Sequence, residues 1–497
     1  MTRLRTPALA ASLIVSLAGC SLAPTYERPA MDMPAHWQTE APWRAAQPAD
    51  AAPKGPWWQR FNDPQLDKLI TQALQENQSL KVALSNLEQA QAQTRVARAS
   101  LLPTITAANN DTRSRTSSER PLSSYTSPTM STVQSDFVVR ADVSYEADLF
   151  GRVRNTVANA AASEAQAGAN VENFRLLLAA QVATTWYNLR ETDAEIAVVQ
   201  EGLALQRKAL DFVTSRHQDG VASGLDLAQQ QTLVDSTATQ AELLTKQRAQ
   251  YEHALATLVG TPAPAFHIDP IPLKGAAPQI PVALPSDVIE RRPDVAAAER
   301  SMAAANARIG VARAAFFPQL QLTGGFGYES HDIGDLLKWG SRTWILGPLV
   351  GTALSLPIFD GGARSAGVKQ ARAAYEENVA NYRESVLVAF REVEDNLSEL
   401  RLLADQAKAQ DDAVRASTRA AQLSRTRYNA GSVNYLDVID AERNMLSAER
   451  IGVQLAGSRV NSTVGLIKAL GGGWGDLPPA APANAATAAQ PATVAQQ

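Results

Sequence analysis

One cysteine stands among the 497 residues, and its position predicts covalent chemistry. The sequence Leu17-Ala18-Gly19 comes directly before Cys20, after a positive segment with Arg3 and Arg5 and a short apolar run over residues 8–18. This order is typical of a secretory signal peptide, and the apolar run is too short to span a bilayer. An ordinary signal peptide followed by a buried cysteine is the alternative, although the thiol sits at the one place that lipid attachment requires.

The residues before the cysteine resemble the lipobox of bacterial lipoproteins, in which the thiol receives a diacylglyceryl group and the cysteine becomes the N-acylated mature terminus. We therefore predict lipidation at Cys20 by an N-acyl and an S-diacylglycerol group, with no other cofactor. Ser21 follows, so the aspartate that usually retains such lipoproteins at the inner membrane is absent there. Delivery to the outer membrane is expected.

No other group of residues predicts catalysis or metal binding. The five histidines are scattered, and one cysteine excludes an intrachain disulfide and a thiolate cluster. The Gly-x-Ser-x-Gly, His-Glu-x-x-His and phosphate-binding Gly-rich patterns are absent. A net charge of −4 argues against a nucleic-acid protein. The sequence therefore predicts a protein that is not an enzyme and that takes energy for any transport from a partner.

The chain contains two copies of one unit. Val96–Pro103 matches Val311–Pro318 at an offset of 215 residues, and Gly220 corresponds to Gly431 at an offset of 211. The difference falls in a loop, where length varies at little cost. Leu225-Asp226 corresponds to Leu436-Asp437 and Gly260 to Gly471, again at 211. Chance similarity between Ala-rich helices would not keep one offset across these landmarks. We predict a signal peptide over 1–19, a lipidated arm over 20–61, repeats over 62–261 and 286–473, a linker over 262–285 and a disordered tail over 474–497.

Each repeat is predicted to run helix, strand, strand, long helix, turn, helix. Proline is absent from 129–261 and from 358–477, which leaves room for long helices. Apolar residues at heptad spacing, such as Val379, Val386 and Val393, predict coiled-coil packing, which is also typical of structural rods. The predicted helices cover 62–101, 152–219 and 225–259 in the first repeat and 286–316, 362–429 and 435–470 in the second.

The strands decide between a rod and a channel. Residues 137–149 alternate between apolar side chains and polar ones such as Arg140 and Asp142. A soluble sheet with one wet face would give this pattern too, but at an outer membrane it indicates a transmembrane barrel around a watery lumen. The predicted strands lie within about 103–150 and 317–360, where Thr343–Phe359 is the fourth, and the loops at 111–133 and 329–340 are expected outside.

Four strands per chain are too few to close a membrane barrel, because the smallest known barrels need about eight. Open sheet edges in lipid would leave backbone groups without hydrogen bonds. Several chains must therefore contribute to one barrel, and the strand pattern alone predicts only more than one copy.

Four motifs together resemble the outer-membrane factor family, in its TolC-like, NodT-type branch of multidrug-efflux lipoproteins. They are the lipobox followed by Ala23–Pro29, Glu290-Arg291-Arg292-Pro293-Asp294-Val295, Pro357–Gly362, and the segment from Tyr428 to Arg443. The resemblance implies a mainly α fold with a transmembrane β part, built from tandem strand-strand-hairpin units. It implies a homotrimer with a twelve-stranded β-barrel and a long periplasmic α-helical barrel.

The same resemblance implies a function and partners. The protein would be the exit duct of a tripartite pump that exports drugs and toxic compounds across the outer membrane. It would work with a periplasmic adaptor (a membrane fusion protein) and an inner-membrane pump of the resistance-nodulation-division type. The alternatives left open are a duct for type I protein secretion and a lipid-anchored coiled-coil spacer without a pore.

The resemblance also assigns a periplasmic gate at the hairpin turns farthest from the membrane. Leu436, Asp440 and Arg443 match the family's closing positions, a hydrophobic ring with salt-bridging charges, and their spacing places them on one helix face. The first repeat has Gln229 and Thr232 where the second has Asp440 and Arg443. Any gate would therefore rest mostly on the second repeat.

Three further residues belong to the predicted gate. Asp437 and its counterpart Asp226 would form acidic rings under threefold symmetry, unless they only favour a helix N-terminus. Tyr428 matches a tyrosine that ties neighbouring helices in the closed state. The turns that would receive the adaptor contain Gly220, Val221, Ala222, Ser223, Gly431, Ser432 and Val433.

Overall fold

The computed structural model describes residues 21–27, 55–115, 133–273, 291–346 and 352–472. Cys20, the signal peptide, most of the arm, half of the linker and the tail lie outside these ranges, so their predictions stay predictions. The chain divides into two compact units. The sheet unit comprises Met1–Met31, Ser85–Gly168 and Ala297–Glu384, and the hairpin unit comprises Asp32–Leu84, Ala169–Ala296 and Ser385–Gln497.

The described part of the sheet unit contains one antiparallel sheet of five strands. The strands are β1 (Thr104–Arg115), β2 (Val133–Ala147), β3 (Gln319–Ser330), β4 (Arg342–Leu346) and β5 (Thr352–Ser355). Strand β2 lies between β1 and β3, so a strand of the first repeat pairs with a strand of the second. Strand β3 pairs with β4 and β5 along different parts of its length.

The predicted alternation along β2 is present, with the apolar side chains on the open face. Val139 and Val143 are exposed, while Arg140 and Asp142 are half-buried and form an ion pair of 3.0 Å. Asp142 lies opposite Gly325, where a Cβ atom would come within 2.7 Å of the carboxylate. Glycine therefore makes room for the charged face of the sheet.

The open face of the sheet is apolar across several strands. Ala141, Phe326 and Trp344 occupy directly opposed positions on β2, β3 and β4. Phe326 is 58% exposed and Trp344 is 70% exposed. Since exposed aromatic rows cost free energy in water, this face suits contact with lipid.

Helices make up most of the remaining described chain. They are α1 (Pro64–Glu76), α2 (Gln78–Ala99), α3 (Arg152–Gln218), α4 (Gly224–Leu258), α5 (Pro293–Ala314), α6 (Ala363–Asn429) and α7 (Tyr435–Ala469). The long helices α3 and α6 have 67 residues each, and the return helices α4 and α7 have 35 each. These equal lengths confirm the mainly α, duplicated fold. No described helix combines the length and apolar character that a membrane crossing requires.

Two predicted elements are subdivided in the structure. The predicted helix 62–101 is two helices, because Asn77 adopts an extended ψ of 124° and its Oδ1 accepts a hydrogen bond of 2.9 Å from the Leu80 amide. Asn77 thus ends α1 and caps α2. The predicted strand Thr343–Phe359 is described as β4 and β5, with residues 347–351 outside the described ranges.

Helices α1 and α3 share the core of the hairpin unit. Trp186 is fully buried, and its Nε1 donates to Asp63 Oδ2 at 2.8 Å. The same carboxylate pairs with Arg190 at 3.3 Å, and its other oxygen accepts from the Leu66 amide at 3.3 Å. One carboxylate therefore caps α1 and fixes its start on the long helix α3.

One side-chain hydrogen bond joins the start of each repeat to the end of its return helix. In the first repeat, Asn77 Nδ2 donates to the carbonyl of Leu258 at 2.9 Å. In the second, Arg292 Nη1 donates to the carbonyl of Ala469 at 3.0 Å. Asn77 corresponds to Arg292 and Leu258 to Ala469 by the offsets of the duplication. The two bonds are therefore equivalent, although the side chains differ.

Candidate functional site at the helical hairpin ends

Two turns end the helical hairpins, and they have the same backbone geometry. Gly220 follows α3 with a φ of +75°, and Gly431 follows α6 with a φ of +71°. Glycine adopts this left-handed conformation without the strain that a Cβ atom would add. The Gly220 amide donates to the His217 carbonyl at 3.0 Å, and the Gly431 amide donates to the Tyr428 carbonyl at 2.9 Å. Both predicted turns are thus built in the same way.

Asp226 and Asp437 have the same local contact in the two repeats. The Asp226 carboxylate accepts from the Ser223 amide at 3.2 Å, and the Asp437 carboxylate accepts from the Asn434 amide at 3.2 Å. The Ser223 hydroxyl oxygen in turn accepts from the Asp226 amide at 3.1 Å. These contacts cap α4 and α7 and place a negative charge at each helix N-terminus, where the dipole favours it.

The seven residues predicted to contact an adaptor differ in exposure. Ala222 is buried, and its carbonyl lies 2.9 Å from His217 Nδ1. Val433 is half-buried, whereas Val221 is 64% exposed. The exposed members are Gly220, Val221, Ser223, Gly431 and Ser432.

Leu436, Asp440 and Arg443 lie together on one face of α7, as their spacing predicts. Leu436 is 48% exposed, and both charged residues are exposed as well. Val438, on the opposite face, is buried, and so is Ile439 at the edge between the two faces. Among the described residues, neither Asp440 nor Arg443 has a hydrogen bond or ion pair within its own chain. The structure therefore leaves this face available to another chain.

Tyr428 links three helices of the same chain. Its ring centroid lies 4.8 Å from that of Tyr435 at the start of α7. The Arg216 guanidinium of α3 lies 5.3 Å from the Tyr428 ring centroid, within cation–π range. Tyr428 thus ties α6 to α3 and α7 through its ring face.

A buried hydrogen-bond chain at the hairpin ends was not predicted from the sequence. The Tyr435 hydroxyl donates to Gln230 Oε1 at 2.7 Å, and Gln230 Nε2 donates to the Gln206 carbonyl at 2.8 Å. Gln230 has no exposed surface, and burial raises the pKa of Tyr435 well above its ordinary value, so the phenol stays a donor. The apolar residues around this chain are Val213, Ala222, Leu233, Val438 and Ile439.

The signal for these residues is present in the sequence. Gln230 lies three residues from both Leu227 and Leu233, on the apolar face of α4, where a polar side chain needs a partner. The ion pair between Arg425 and buried Glu442, at 2.7 Å, also joins α6 to α7. What the sequence could not give is the partner of each group, because the partners come from the other repeat or the other helix.

The described residues contain no cluster of histidine, cysteine and acidic side chains that could hold a metal ion. Cys20, the predicted lipid site, lies outside the described ranges. The functional candidates are therefore the two hairpin ends, with one exposed charged face on α7.

The sequence matches the family described as Outer membrane efflux protein over residues 69–261 and 284–472. The chain is 35% identical over 463 residues to the "Toluene efflux pump outer membrane protein TtgC" of Pseudomonas putida, covering 92% of this chain and 93% of that protein.

Two solved structures have the same fold over most of their length. A membrane protein from Pseudomonas aeruginosa is similar with a TM-score of 0.82 and 33% identity, over 92% of this chain and 98% of that one. The CmeC outer membrane channel of Campylobacter jejuni is similar with a TM-score of 0.81 and 27% identity, over 91% and 95%. The fold and the sequence therefore agree on one kind of protein.

Proposed function

The chain belongs to the outer membrane efflux protein family and is the outer-membrane channel of an efflux pump, and on this premise we propose that three copies form one exit duct. The duct would carry small toxic molecules such as solvents and drugs. It would take its energy from an inner-membrane pump of the resistance-nodulation-division type and connect to that pump through a periplasmic adaptor.

The two edges of the sheet carry the proposal of several copies. Among the described residues, β1 pairs only with β2, and β4 and β5 pair only with β3. Each outer edge therefore has backbone donors and acceptors without partners, which would cost several kcal/mol per group in lipid. Strands of further chains can satisfy both edges at once. Three copies, the number that the family resemblance implies, would together supply more than the roughly eight strands that a closed barrel needs.

The exposed face of α7 supports a gate. Threefold symmetry would bring Leu436 into an apolar ring and would form rings of Asp440 and Arg443. Like charges in a ring repel one another unless an opposite charge compensates, so Asp440 of one copy and Arg443 of the next would stabilise the closed state. Asp226 and Asp437 would add acidic rings nearby. Tyr428 would hold the helices of each copy together.

The oligomer and the efflux role can be tested in native membranes. Chemical cross-linking should give a product of three copies, and deletion of the protein should raise the intracellular accumulation of a fluorescent efflux substrate. A cross-linking experiment that gives only the single-chain band would contradict a duct built from several copies. Unchanged accumulation after deletion, in cells whose other pumps have been removed, would contradict the efflux role.

The adaptor contact can be tested with photo-cross-linking residues at the turns. Probes at Val221 and Ser432, both exposed, should capture a periplasmic adaptor. The matched control is Lys246. It is exposed on α4, the return helix that follows the first turn, but it lies far along that helix from the turn. Equal capture from Lys246 and from the turns would argue against adaptor binding at the hairpin ends.

A further inference from the structure

The first described residues of the chain lie in a groove of the sheet unit. Pro24 O accepts a hydrogen bond of 2.9 Å from Asn306 Nδ2, and Leu22 O accepts one of 3.2 Å from Arg313 Nη1. These carbonyls are two residues apart, as expected for an extended segment that presents the same side to its support. Ala23 lies between them.

The groove is shaped to admit this segment. A Cβ atom on Gly310 would lie 2.5 Å from Asn155 Nδ2 and 2.8 Å from the Cβ of Ala23, so glycine lets both α3 and the arm approach α5 here. Gly310 lies four residues after Asn306 and three before Arg313, which places all three on one face of α5. Tyr26 Oη donates to the Glu299 carbonyl at 3.4 Å and extends the contact along the same helix.

The other wall of the groove is the start of α3. The Ser21 hydroxyl donates to Asn155 Oδ1 at 3.2 Å, and Asn155 is buried. Asn155 follows directly on the connection from β2 to α3. Two ion pairs fix that connection, Arg152 with Glu146 and Arg154 with Asp148, the latter at 3.1 Å.

We propose that Asn155, Asn306, Gly310 and Arg313 form a docking groove that holds the lipidated amino terminus beside the point where the chain leaves the sheet. This inference rests on the proposed lipidation of Cys20. Ser21 is the residue after Cys20, so a lipid there begins one residue from the groove. Arg313 lies at the end of α5, shortly before β3, so the groove adjoins both helix–strand connections.

The consequence is a fixed distance between the lipid and the strands. A lipid that is held next to β2 and β3 keeps these strands at high effective concentration at the membrane surface, where they must pair and insert. A lipid on a longer free tether gives a lower effective concentration. The groove would therefore raise the yield of assembled channel without changing the lipidation reaction.

Insertion of the same three residues, Gly-Ser-Gly, at two places tests the groove. Placed directly after Ser21, the insertion lengthens the tether by up to roughly 10 Å. Placed after Glu27, beyond the docked segment, it leaves the distance from lipid to groove unchanged. Labelled palmitate measures lipidation, and cross-linked oligomer in outer membranes measures assembly. We expect equal labelling in both variants, with oligomer yield lowered several-fold only by the insertion after Ser21. Equal oligomer yields for the two insertions would overturn the proposal.

Side-chain variants provide a second measurement. Replacement of Asn306 and Arg313 by alanine removes two hydrogen bonds and should lower occupancy of the groove by roughly tenfold. Arg308→Ala is the matched control, because Arg308 is exposed on the same helix. Oligomer yield should fall for the double variant only, while its helical circular dichroism stays unchanged. Equal oligomer yields for the double variant and Arg308→Ala would overturn the proposed docking groove. Absence of palmitate label from the wild-type protein would instead overturn the lipid site and this inference with it, while efflux could remain.

Discussion

The two hairpin ends have the same backbone and different outward side chains. Both turn at a glycine with positive φ, and both return helices start with an aspartate that accepts from the preceding N-cap amide. Beyond these positions they differ, since Asp440 and Arg443 of the second repeat stand where the first has Gln229 and Thr232. The two repeats therefore share the residues that form the turn and cap the return helix. They differ at the positions of Asp440 and Arg443, on the exposed face of the return helix.

The junctions at the other end of the hairpins show the same principle inside the core. The bond to the return helix is kept, but a neutral Asn77 makes it in the first repeat and a charged Arg292 in the second. Arg292 also binds both oxygens of Asp294, at 3.0 and 2.6 Å, and Glu392 at 2.7 Å. The second junction therefore depends on a charge network around the buried Arg292. The first depends on two neutral amides, Asn77 and Gln72, and Gln72 Nε2 donates to the Val259 carbonyl at 3.5 Å.

Arg292→Ala should have the largest effect, because it leaves Asp294 without its cation and leaves Glu392 with only Lys468, 3.9 Å away. Breaking a fully buried pair costs about 3–5 kcal/mol, and this is an upper bound here because Asp294 and Glu392 are partly exposed. Asn77→Ala removes both the cap on α2 and the bond to Leu258, and it should cost about 1–3 kcal/mol. Urea unfolding followed by helical circular dichroism would measure both in detergent. A loss for Arg292→Ala no larger than that for Asn77→Ala would show that the two junctions are energetically alike.

Tyr435→Phe tests a contact for which the first repeat has no counterpart, since Gly224 stands at the equivalent position. The change leaves Gln230 Oε1 buried without a donor and should cost about 1–3 kcal/mol. Tyr428→Phe is the control, because Tyr428 makes its contacts through the ring. Equal shifts of the unfolding midpoint in the two variants would show that the hydrogen bond of the Tyr435 hydroxyl does not stabilise the protein.

Glu191 is a titrating group that the second repeat lacks at the equivalent position, where Leu402 stands. Glu191 packs against Gly457, and burial, then the charge of Glu195, raises its pKa from 4.5 to about 7. Glu195 in turn lies 3.7 Å from Arg450. The folded protein holds the Glu191 proton more tightly than the unfolded chain does. This stabilisation is therefore complete below about pH 4.5 and is lost as the pH rises through about 7.

Glu191→Gln should flatten the dependence of stability on pH between these two values. The measurement is the unfolding midpoint of both proteins at a series of pH values. Leu402→Gln, at the equivalent position, should leave the wild-type slope in place. A slope that is the same for wild type and Glu191→Gln would assign the pH dependence to other groups.

Asp226→Ala and Asp437→Ala should have small and equal effects on stability. Each removes one capping bond of 3.2 Å and a favourable charge at a helix N-terminus, which is typically worth about 1 kcal/mol. Equal shifts of the thermal midpoint would show that both aspartates have the same structural role. A clearly larger loss at one of them would mean that its helix start depends on further contacts.

The sequence predicted those features that repeat or that depend on local pattern. The duplicated order of elements, the glycine turns and the face of Leu436, Asp440 and Arg443 follow from spacing alone. The break at Asn77 was missed, because a single asparagine within an apolar periodic pattern is compatible with a continuous helix. The cap on the Leu80 amide and the contact with Leu258, 181 residues away, together show why the chain bends there.

The long-range polar contacts were beyond local pattern as well. Tyr435 and Gln230 are 205 residues apart, and Pro24 and Asn306 are 282 apart. A polar residue on an apolar helix face signals that a partner exists, but periodicity carries no information about which distant residue it is. The hairpin-end hydrogen-bond chain and the arm groove therefore required the three-dimensional structure.

We predict that the duct closes mainly through the second repeat, and single-channel conductance in planar bilayers tests this prediction most directly. Wild-type protein should conduct weakly, and replacement of Asp440 and Arg443 by alanine should raise the open fraction. The matched pair Gln229→Ala and Thr232→Ala should behave like wild type, because the first repeat carries no charges at these positions. Absence of conductance in all three proteins, or an equal rise in the matched pair, would contradict the account.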